Sequence, residues 1–318
     1  MKILFWGTPE FAVPTLKRLY ETGHDIVGVV TQPDRPKGRG RALKQSPVKL
    51  FALEKGLKVF QPEKASNPEF ISDLYELRSD MFIVIAYGQI LRYKVLEIPK
   101  WFCMNIHASL LPKYRGAAPI NRAILNGDKK TGITTMKMNE GMDTGEMLLK
   151  KTTPINPEDD AATLAERLSS IGADLVIETL NSLIQGKLEL QPQNDSEATL
   201  APKLKKEEGL ISWVKNAETL QNQVRGFFPW PGAYTFYGSK RISIIKSEVT
   251  SGDIEDKPGV VARVSDYGIE IGTGEDRLIV KELKPEGRGE MSAQSFLRGN
   301  PISKGEQFLD AAVKPISN

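Results

Sequence analysis

Three polar side chains suited to acyl transfer lie at the ends of apolar runs in the middle of the chain. Asn105 and His107 close the run that begins at Trp101, and Asp143 follows a later apolar run. Because side chains alternate along a strand, Asn105 and His107 should project from the same face. An amide can stabilise a developing oxyanion, and an imidazole can move the proton of an attacking amine. Asp143 could orient the imidazole if the fold brings it there, which spacing alone does not establish.

A structural role for His107 is the alternative, since a single histidine beside a strand is more often a hydrogen-bonded structural residue. The other histidine, His24, falls in a turn where a role at a helix C-terminus is sufficient. His107 is instead followed by Ser-Leu-Leu-Pro and by a loop, residues 114–119, that precedes a helix starting at Ile120. This context favours a functional role for His107.

The elements that must position these residues alternate between strand and helix. Such alternation predicts a mostly parallel α/β sheet, and ligands of such sheets bind outside the carboxyl ends of the strands. Two more strands should flank Asp143, and a long amphipathic helix should follow them. The predicted strands span residues 2–6, 25–31, 58–61, 81–88, 101–106, 133–138 and 147–151, and the predicted helices span 48–55, 67–77 and 158–185.

Asn105, His107, the Ser-Leu-Leu-Pro segment and Asp143 together resemble the signature of the folate-dependent formyltransferases. The resemblance extends over essentially the whole chain. It implies a Rossmann-like formyltransferase domain in which Asn105, His107 and Asp143 are the catalytic residues. It also implies that Phe11 lines a methionine pocket. The expected folate-binding residues are Ser109, Leu110, Leu111, Pro112, Tyr87, Gly88 and Gly141.

The activity implied by the resemblance is transfer of a formyl group from 10-formyltetrahydrofolate, a co-substrate, to the α-amine of methionine esterified to initiator tRNA, for translation initiation. No metal is expected. The same three catalytic residues serve formyltransferases that act on aminosugar nucleotides or glycinamide ribonucleotide, so a small amine acceptor is one alternative. An RNA-binding protein that keeps a disused enzyme fold is another, and it predicts no formyl transfer.

The length of 318 residues favours two domains. The polar stretch 189–208 is the predicted linker between a catalytic domain, 1–188, and a C-terminal tRNA-binding domain, 209–318. Beyond the linker, short strands separated by Gly, Asp and Pro predict a small antiparallel barrel, which the resemblance makes oligonucleotide-fold-like. These strands are predicted at residues 211–213, 233–237, 241–246, 259–264, 268–271 and 277–283, with a helix at 291–296.

A basic segment, residues 32–49, is rich in Pro and Gly and has no acidic residue after Asp34. Such a composition is typical of a flexible, solvated charge run. The resemblance favours a different interpretation, a mobile arm that closes on the acceptor end of the tRNA. The expected tRNA-binding residues are Lys37, Gly38, Arg39, Arg41, Lys205 and Lys206.

Composition argues against several other classes of protein. The formal net charge of +3 is modest, so any nucleic-acid surface must be local. A single cysteine, Cys103, excludes an intramolecular disulfide and a cysteine-rich metal site. The turn after the first strand has one glycine, Gly7, where a dinucleotide-binding loop has three, so nicotinamide chemistry is not expected. With no signal peptide or long apolar span, the chain is expected to be cytoplasmic, without membrane contact, and monomeric.

Overall fold

A mostly parallel sheet forms the centre of the first of two units in the chain. The structure, a computed structural model, describes residues 1–37, 42–253 and 255–311. The first unit comprises Met1–Pro119, Lys130–Pro154 and Ala165–Ala201, and the second comprises Ile120–Lys129, Ile155–Leu164 and the residues from Pro202 onward. The domain boundaries expected at 188 and 208 stay a prediction.

Strands and helices alternate through the first 201 residues. The strands are β1 (Lys2–Gly7), β2 (Asp25–Val30), β3 (Arg35–Lys37), β4 (Ala42–Lys44), β5 (Val59–Phe60), β6 (Met81–Ile85), β7 (Cys103–His107), β8 (Arg115–Gly116), β9 (Lys130–Lys137), β10 (Met147–Pro154) and β11 (Leu200–Ala201). The helices are α1 (Val13–Glu21), α2 (Pro47–Glu54), α3 (Pro68–Glu76), α4 (Tyr93–Leu96), α5 (Pro119–Leu125) and α6 (Ala161–Ile184). No helix in the described part of the chain is long and apolar enough to cross a membrane.

Strand order in the main sheet is β10-β9-β7-β6-β1-β2-β5. The five strands from β7 to β5 are parallel, β9 is antiparallel to β7, and β10 is antiparallel to β9. All side chains of β6 are buried, as expected for a central parallel strand covered on both faces. The chain passes from β1 to β2 on one side and later reaches β6 on the other. The carboxyl ends of β1 and β6 therefore form a topological switch point, where α/β sheets bind ligands.

Side-chain caps fix the starts of two helices that the sequence predicted. Ser46 Oγ accepts a hydrogen bond from the Lys49 amide at the start of α2, and Asn67 Oδ1 accepts one from the Glu69 amide at the start of α3. A proline follows each capping residue, in the first helical turn, where its missing N–H costs nothing. Cap and proline together explain why these helices begin where the sequence pattern placed them.

The basic segment 32–49 contains regular structure that its composition did not predict. Strands β3 and β4 pair in antiparallel orientation, while Lys49 lies in α2, within the predicted helix 48–55. The ammonium of Lys49 pairs with Asp34 at 2.6 Å, and Arg35 pairs with Glu63 at 2.7 Å. Acidic neighbours thus compensate part of the charge that suggested a solvated run. Of the expected tRNA-binding residues, Gly38, Arg39, Arg41 and the side chain of Lys37 lie outside the described residues.

The second unit contains a curled antiparallel sheet. Its elements are α7 (Ala217–Phe227), β12 (Ala233–Tyr237), β13 (Lys240–Thr250), β14 (Val261–Ser265), β15 (Gly268–Gly272), β16 (Arg277–Pro285), β17 (Met291–Ser292), α8 (Ala293–Leu297) and β18 (Phe308–Leu309). The strand order is β14-β15-β16-β13-β12-β18, and β17 pairs with β16. A bridge between Val260 and Gln307 joins the two edges of this sheet. The predicted fold class, a mostly parallel α/β sheet followed by a small antiparallel barrel, is confirmed.

The predicted strand at 211–213 is wrong. This segment adjoins the sheet through an isolated bridge between Leu210 and Tyr234, and it places Ile211 and Trp213 in the apolar core of the second unit. The alternation of apolar and polar residues at 211–213 therefore reflects the burial of Ile211 and Trp213, and not their membership of a strand. Helix α7 was not among the predicted elements. Its buried side chains Leu220 and Val224, at helical spacing, belong to the same core.

Arg225 on α7 connects the segment 155–164 to the rest of the second unit. Its guanidinium donates to the main-chain oxygens of Asn156 at 3.0 Å and Asp159 at 2.8 Å, and to Asn222 Oδ1 at 2.6 Å. Desolvation by burial lowers the pKa of this guanidinium. The three acceptors offset part of that cost, because hydrogen bonds compensate for lost hydration, while the buried Nε is without a partner among the described residues.

The Arg225→Met variant should be less stable than the wild type by about 2 kcal/mol, because hydrogen bonds from charged groups contribute roughly 1.5–3 kcal/mol and the change removes all three bonds that the guanidinium donates. Chemical denaturation followed by tryptophan fluorescence measures the free energy of unfolding. Arg288→Met, at an exposed position, is the matched control and should change it by less than about 0.5 kcal/mol. Equal effects of the two substitutions would contradict a structural role for the Arg225 contacts.

Candidate active site

The loops after β1 and β6 meet at the switch point of the main sheet. Thr8 Oγ1 donates to the carbonyl oxygen of Tyr87 at 2.9 Å and accepts from the Gln32 amide at 3.3 Å. Gly7 ends β1 where a Cβ would come within 2.8 Å of the Phe5 ring and 2.9 Å of Ala12 Cβ. Glycine is therefore required here for close packing, and not for phosphate binding.

Strand β7 and the loop between β9 and β10 bring Asn105, His107 and Asp143 together. Asn105 Nδ2 donates to Asp143 Oδ1 at 3.3 Å, and His107 Nδ1 lies 3.6 Å from Asp143 Oδ2. His107 is buried, while the carboxylate of Asp143 keeps partial exposure. The fold thus produces the meeting of Asp143 and His107 that sequence spacing left open.

The carbonyl of Tyr114, and not Asp143, makes the short hydrogen bond to the imidazole. His107 Nε2 lies 2.8 Å from Tyr114 O. A carbonyl oxygen only accepts, so Nε2 carries a hydrogen, and in the neutral ring Nδ1 carries the lone pair. The separation of 3.6 Å from Nδ1 to Asp143 exceeds a hydrogen bond, so the carboxylate acts on the imidazole through its charge. This differs from the expected arrangement, in which Asp143 itself orients the ring.

The loop around Asp143 has a constrained main chain. The φ of Asp143 is 55°, in the left-handed region that few residues other than glycine adopt. Its Oδ2 accepts from the Gly116 amide at 2.9 Å. A Cβ on Gly145 would collide with Lys137 O, and a Cβ on Gly141 would collide with Thr144 Oγ1. The two glycines therefore allow neighbouring groups to pack closely, while the left-handed turn is made by Asp143 itself.

Left-handed main-chain conformation recurs around the site. Besides Asp143, Tyr114 has a φ of 62° and Ala86, at the end of β6, has a φ of 48°. Tyr114 supplies the carbonyl that accepts from His107. Such conformations cost free energy and persist where the surrounding contacts impose them, often at functional sites.

The Ser-Leu-Leu-Pro segment forms a buried framework for the loop after β7. Ser109 has no exposed surface, and its Oγ donates to Lys113 O at 2.6 Å. Thr134 Oγ1 donates to Ser109 O and accepts from the Leu111 amide, while Lys150 Nζ donates to Leu111 O at 2.6 Å. Pro112 is also buried, and Leu110 is half-buried. These internal contacts engage Ser109 Oγ and main-chain groups of Ser109 and Leu111, and the expectation that the segment faces folate stays a prediction.

The other expected ligand-contacting residues differ in their exposure. Tyr87 lies in the apolar core with its ring 5.1 Å from that of Trp6, and burial raises the pKa of its phenol, so its side chain does not face a ligand. Gly88 and Gly141 are exposed. Phe11 is half-buried, and its carbonyl accepts from Ser169 Oγ. In the loop after β6, Ala86, Gly88 and Ile90 are the exposed residues around the buried Tyr87.

An open cavity of about 660 Å³ borders the Asn139–Gly141 part of the loop that carries Asp143. Lys100, Trp101 and Lys137 line it together with Asn139 and Gly141. Its volume is in the range of small-molecule sites, and Glu97 and Glu140 balance the charges of Lys100 and Lys137 in its lining. Cys103 also borders the cavity, but burial raises the pKa of its thiol, which is unsuited to act as a nucleophile.

Several groups that organise the site gave no sequence signal. The Tyr114 carbonyl and the Gly116 amide are main-chain groups, which every residue carries. Gln193 Nε2 donates to the carbonyls of Asp143 and Gly145, but it lies in the stretch predicted as a linker. The sequence placed Arg115 in a loop and predicted no specific contact for it. None of these contacts follows from residue type or spacing.

The remaining expected tRNA-binding residues, Lys205 and Lys206, belong to the second unit. Both are exposed, at the start of a short 3-10 turn, Lys206–Gly209. Within the described ranges no group of three or more His, Cys, Asp or Glu side chains is arranged to hold a metal ion.

Comparisons with known proteins agree over nearly the whole chain. A family model described as formyl transferase matches residues 1–180, and one described as formyl transferase, C-terminal domain, matches residues 203–301. The chain is 50% identical over 306 residues to a methionyl-tRNA formyltransferase of Caldanaerobacter subterraneus, covering 96% of this chain and 99% of the relative. It is 47% identical over 311 residues to that of Geobacter sulfurreducens, covering 98% of each.

Solved structures share the fold. An N-formyltransferase from Helicobacter canadensis, solved in complex with folinic acid and dTDP-3-aminofucose, matches with a TM-score of 0.67 at 22% identity, over 88% of this chain and 98% of that chain. A methionyl-tRNA formyltransferase from Clostridium thermocellum matches with a TM-score of 0.55 at 17% identity, over 80% and 95%. The predicted family resemblance is confirmed, and the chain belongs to the formyl transferase family.

Proposed function

We propose that this chain transfers a formyl group from 10-formyltetrahydrofolate to the α-amine of methionyl initiator tRNA, at the site formed by Asn105, His107 and Asp143. The main support is sequence identity: about half of the residues are identical to those of relatives named for this reaction, over nearly the full length of both chains. The contacts of Asp143 with Asn105 and His107 near the end of β7 support the location of the active site at these three side chains.

Asn105 and His107 take different parts in the attack of the amine on the formyl carbon. The amide nitrogen of Asn105 has two hydrogens, and one of them is directed at Asp143, so the second is free to donate to the developing oxyanion. Nε2 of His107 is committed to Tyr114, so Nδ1 is the nitrogen that moves the amine's proton towards the leaving nitrogen. The negative charge of Asp143 stabilises the imidazolium formed on the way.

The formyl donor and the tRNA are proposed to contact different sets of residues. Exposed Gly88 and Gly141 leave room for the folate beside the Asp143 loop, and Phe11 lines the methionine pocket. The basic segment, with Lys37, Gly38, Arg39 and Arg41, contacts the tRNA, as do Lys205 and Lys206 of the second unit. The reaction belongs in the cytoplasm, needs no metal and is carried out by a monomer.

Asp143→Asn should lower the turnover number for formyl transfer at least about 100-fold, because the neutral amide removes the charge that stabilises the imidazolium and disturbs the donors around it. The affinity for charged tRNA should remain within about twofold, since the carboxylate acts only during chemistry. Single-turnover formylation together with filter binding of the tRNA measures both quantities.

Asp174→Asn is the matched control, since Asp174 is an exposed residue of α6 that pairs with Arg18. It should leave both quantities unchanged. Turnover of Asp143→Asn close to that of the wild type would remove Asp143 from the chemistry. Loss of tRNA affinity with retained turnover would make it a binding residue instead.

Arg39→Lys should impair formylation strongly, while Lys37→Ala should merely weaken tRNA binding and lower the salt slope by about one unit. The reason is that a guanidinium can make a forked contact to phosphate that an ammonium cannot reproduce. Activity titrations over a salt series measure both effects.

Trypsin digestion should show protection of the basic segment by initiator tRNA and none by folate. Equal cleavage with saturating tRNA, together with a fully active Arg39→Lys variant, would favour a small amine acceptor.

A further inference from the structure

The side-chain amide of Gln193 holds the main chain on both sides of Thr144. Its Nε2 donates to Asp143 O and to Gly145 O, each at 2.8 Å. A primary amide nitrogen has two hydrogens, so these two bonds use its full donor capacity. Since Asp143 has a φ of 55°, the loop needs external contacts to keep its conformation. The two bonds from Gln193 supply contacts of that kind.

Arg115 fixes the orientation of the Gln193 amide. The Nε of Arg115 donates to Gln193 Oε1 at 3.0 Å, and its Nη2 pairs with Asp195 Oδ1 at 2.7 Å. Arg115 is only 7% exposed, so its bond to Gln193 is largely shielded from water, whereas its partner Asp195 is exposed. A rotated amide would set Oε1 against two carbonyl oxygens and the NH₂ group against the guanidinium. Only the observed orientation therefore satisfies all the partners.

The strap, residues 193–201, also holds the other side of the site. The Tyr114 amide donates to Thr199 Oγ1 at 2.9 Å, and the Arg115 amide donates to Thr199 O at 2.8 Å. Strand β11 at the end of the strap pairs in parallel with β8. Tyr114 accepts from His107 and Gly116 donates to Asp143, so one segment positions the partners of both side chains.

We propose that Gln193 is a positioning residue for formyl transfer, and that the strap is part of the active site and not a connector. The proposal rests on the proposed function, since the reaction provides the kinetic readout. Gln193 touches no reacting atom. It acts through Asp143, by holding the carboxylate where Asn105, Gly116 and the imidazole of His107 meet it.

The kinetic test compares Gln193→Met, which keeps the length of the side chain without donors, with Gln191→Met. Gln191 is exposed and pairs with Met147 through its main chain, so the control changes a side chain outside the strap. Gln193→Met should lower kcat about 10-fold to 100-fold with an unchanged KM for charged tRNA, as expected for a small misplacement of a catalytic group. The control should stay within about twofold of the wild type.

Two further variants separate positioning from a general structural effect. Gln193→Glu keeps an acceptor for Arg115 but cannot donate to the two carbonyls when ionised, so it should lose as much activity as Gln193→Met. In an Asp143→Asn background, Gln193→Met should cause no further loss beyond about twofold, because residues that act as a unit are not additive. A fully active Gln193→Glu variant, or an additive loss in the double variant, would overturn the proposal.

Hydrogen exchange at the Gly116 amide gives a readout that does not need catalysis. This amide donates to Asp143 Oδ2, so it should exchange faster in Gln193→Met and at the wild-type rate in Gln191→Met. Unchanged exchange in Gln193→Met would overturn the positioning role. If the wild-type protein failed to formylate charged tRNA while Gln193→Met still exchanged faster, the proposed function would fall and the positioning of Asp143 would stand.

Discussion

The carboxylate of Asp143 is the group on which the geometry of the site depends. Its two oxygens accept from Asn105 on β7 and from the Gly116 amide, and its charge lies 3.6 Å from the His107 ring. The chain must adopt a left-handed turn to deliver it there. Hydrogen-bond donors from other segments, Asn105 and the Gly116 amide, therefore determine the orientation of the Asp143 carboxylate on this strained turn.

The division of roles between the side chains follows from which atoms are already committed. Tyr114 O occupies one nitrogen of the imidazole and leaves the other facing the carboxylate. Asp143 occupies one hydrogen of the Asn105 amide and leaves the other available. The Ser-Leu-Leu-Pro segment, although part of the family signature, is engaged with Thr134 and Lys150 and supports the loop. Residues of a signature can thus shape the loop of a site through their internal hydrogen bonds.

The sequence predicted the parts of this structure that depend on residue type and local spacing. Alternation along β7 placed Asn105 and His107 on one face, and amphipathic stretches predicted α2 and α3. Main-chain partners such as Tyr114 O could not be predicted, because every residue has a carbonyl and only the tertiary fold selects one. Gln193 lies in a polar stretch whose composition is typical of a linker, yet residues 193–201 pair with β8 and its neighbours. A polar composition indicates that a segment is exposed, but it does not indicate which of its polar side chains hydrogen-bonds to a buried group.

Acceptor choice is the most direct test of the account. The wild-type protein should be given 10-formyltetrahydrofolate with methionyl initiator tRNA and an aminosugar nucleotide together, and the formylated products should be quantified over time. The account predicts formylmethionyl-tRNA as the product, with one tetrahydrofolate released for each formyl group transferred. Formylation of the aminosugar nucleotide with untouched tRNA would contradict it, and so would the absence of any transfer by a folded protein.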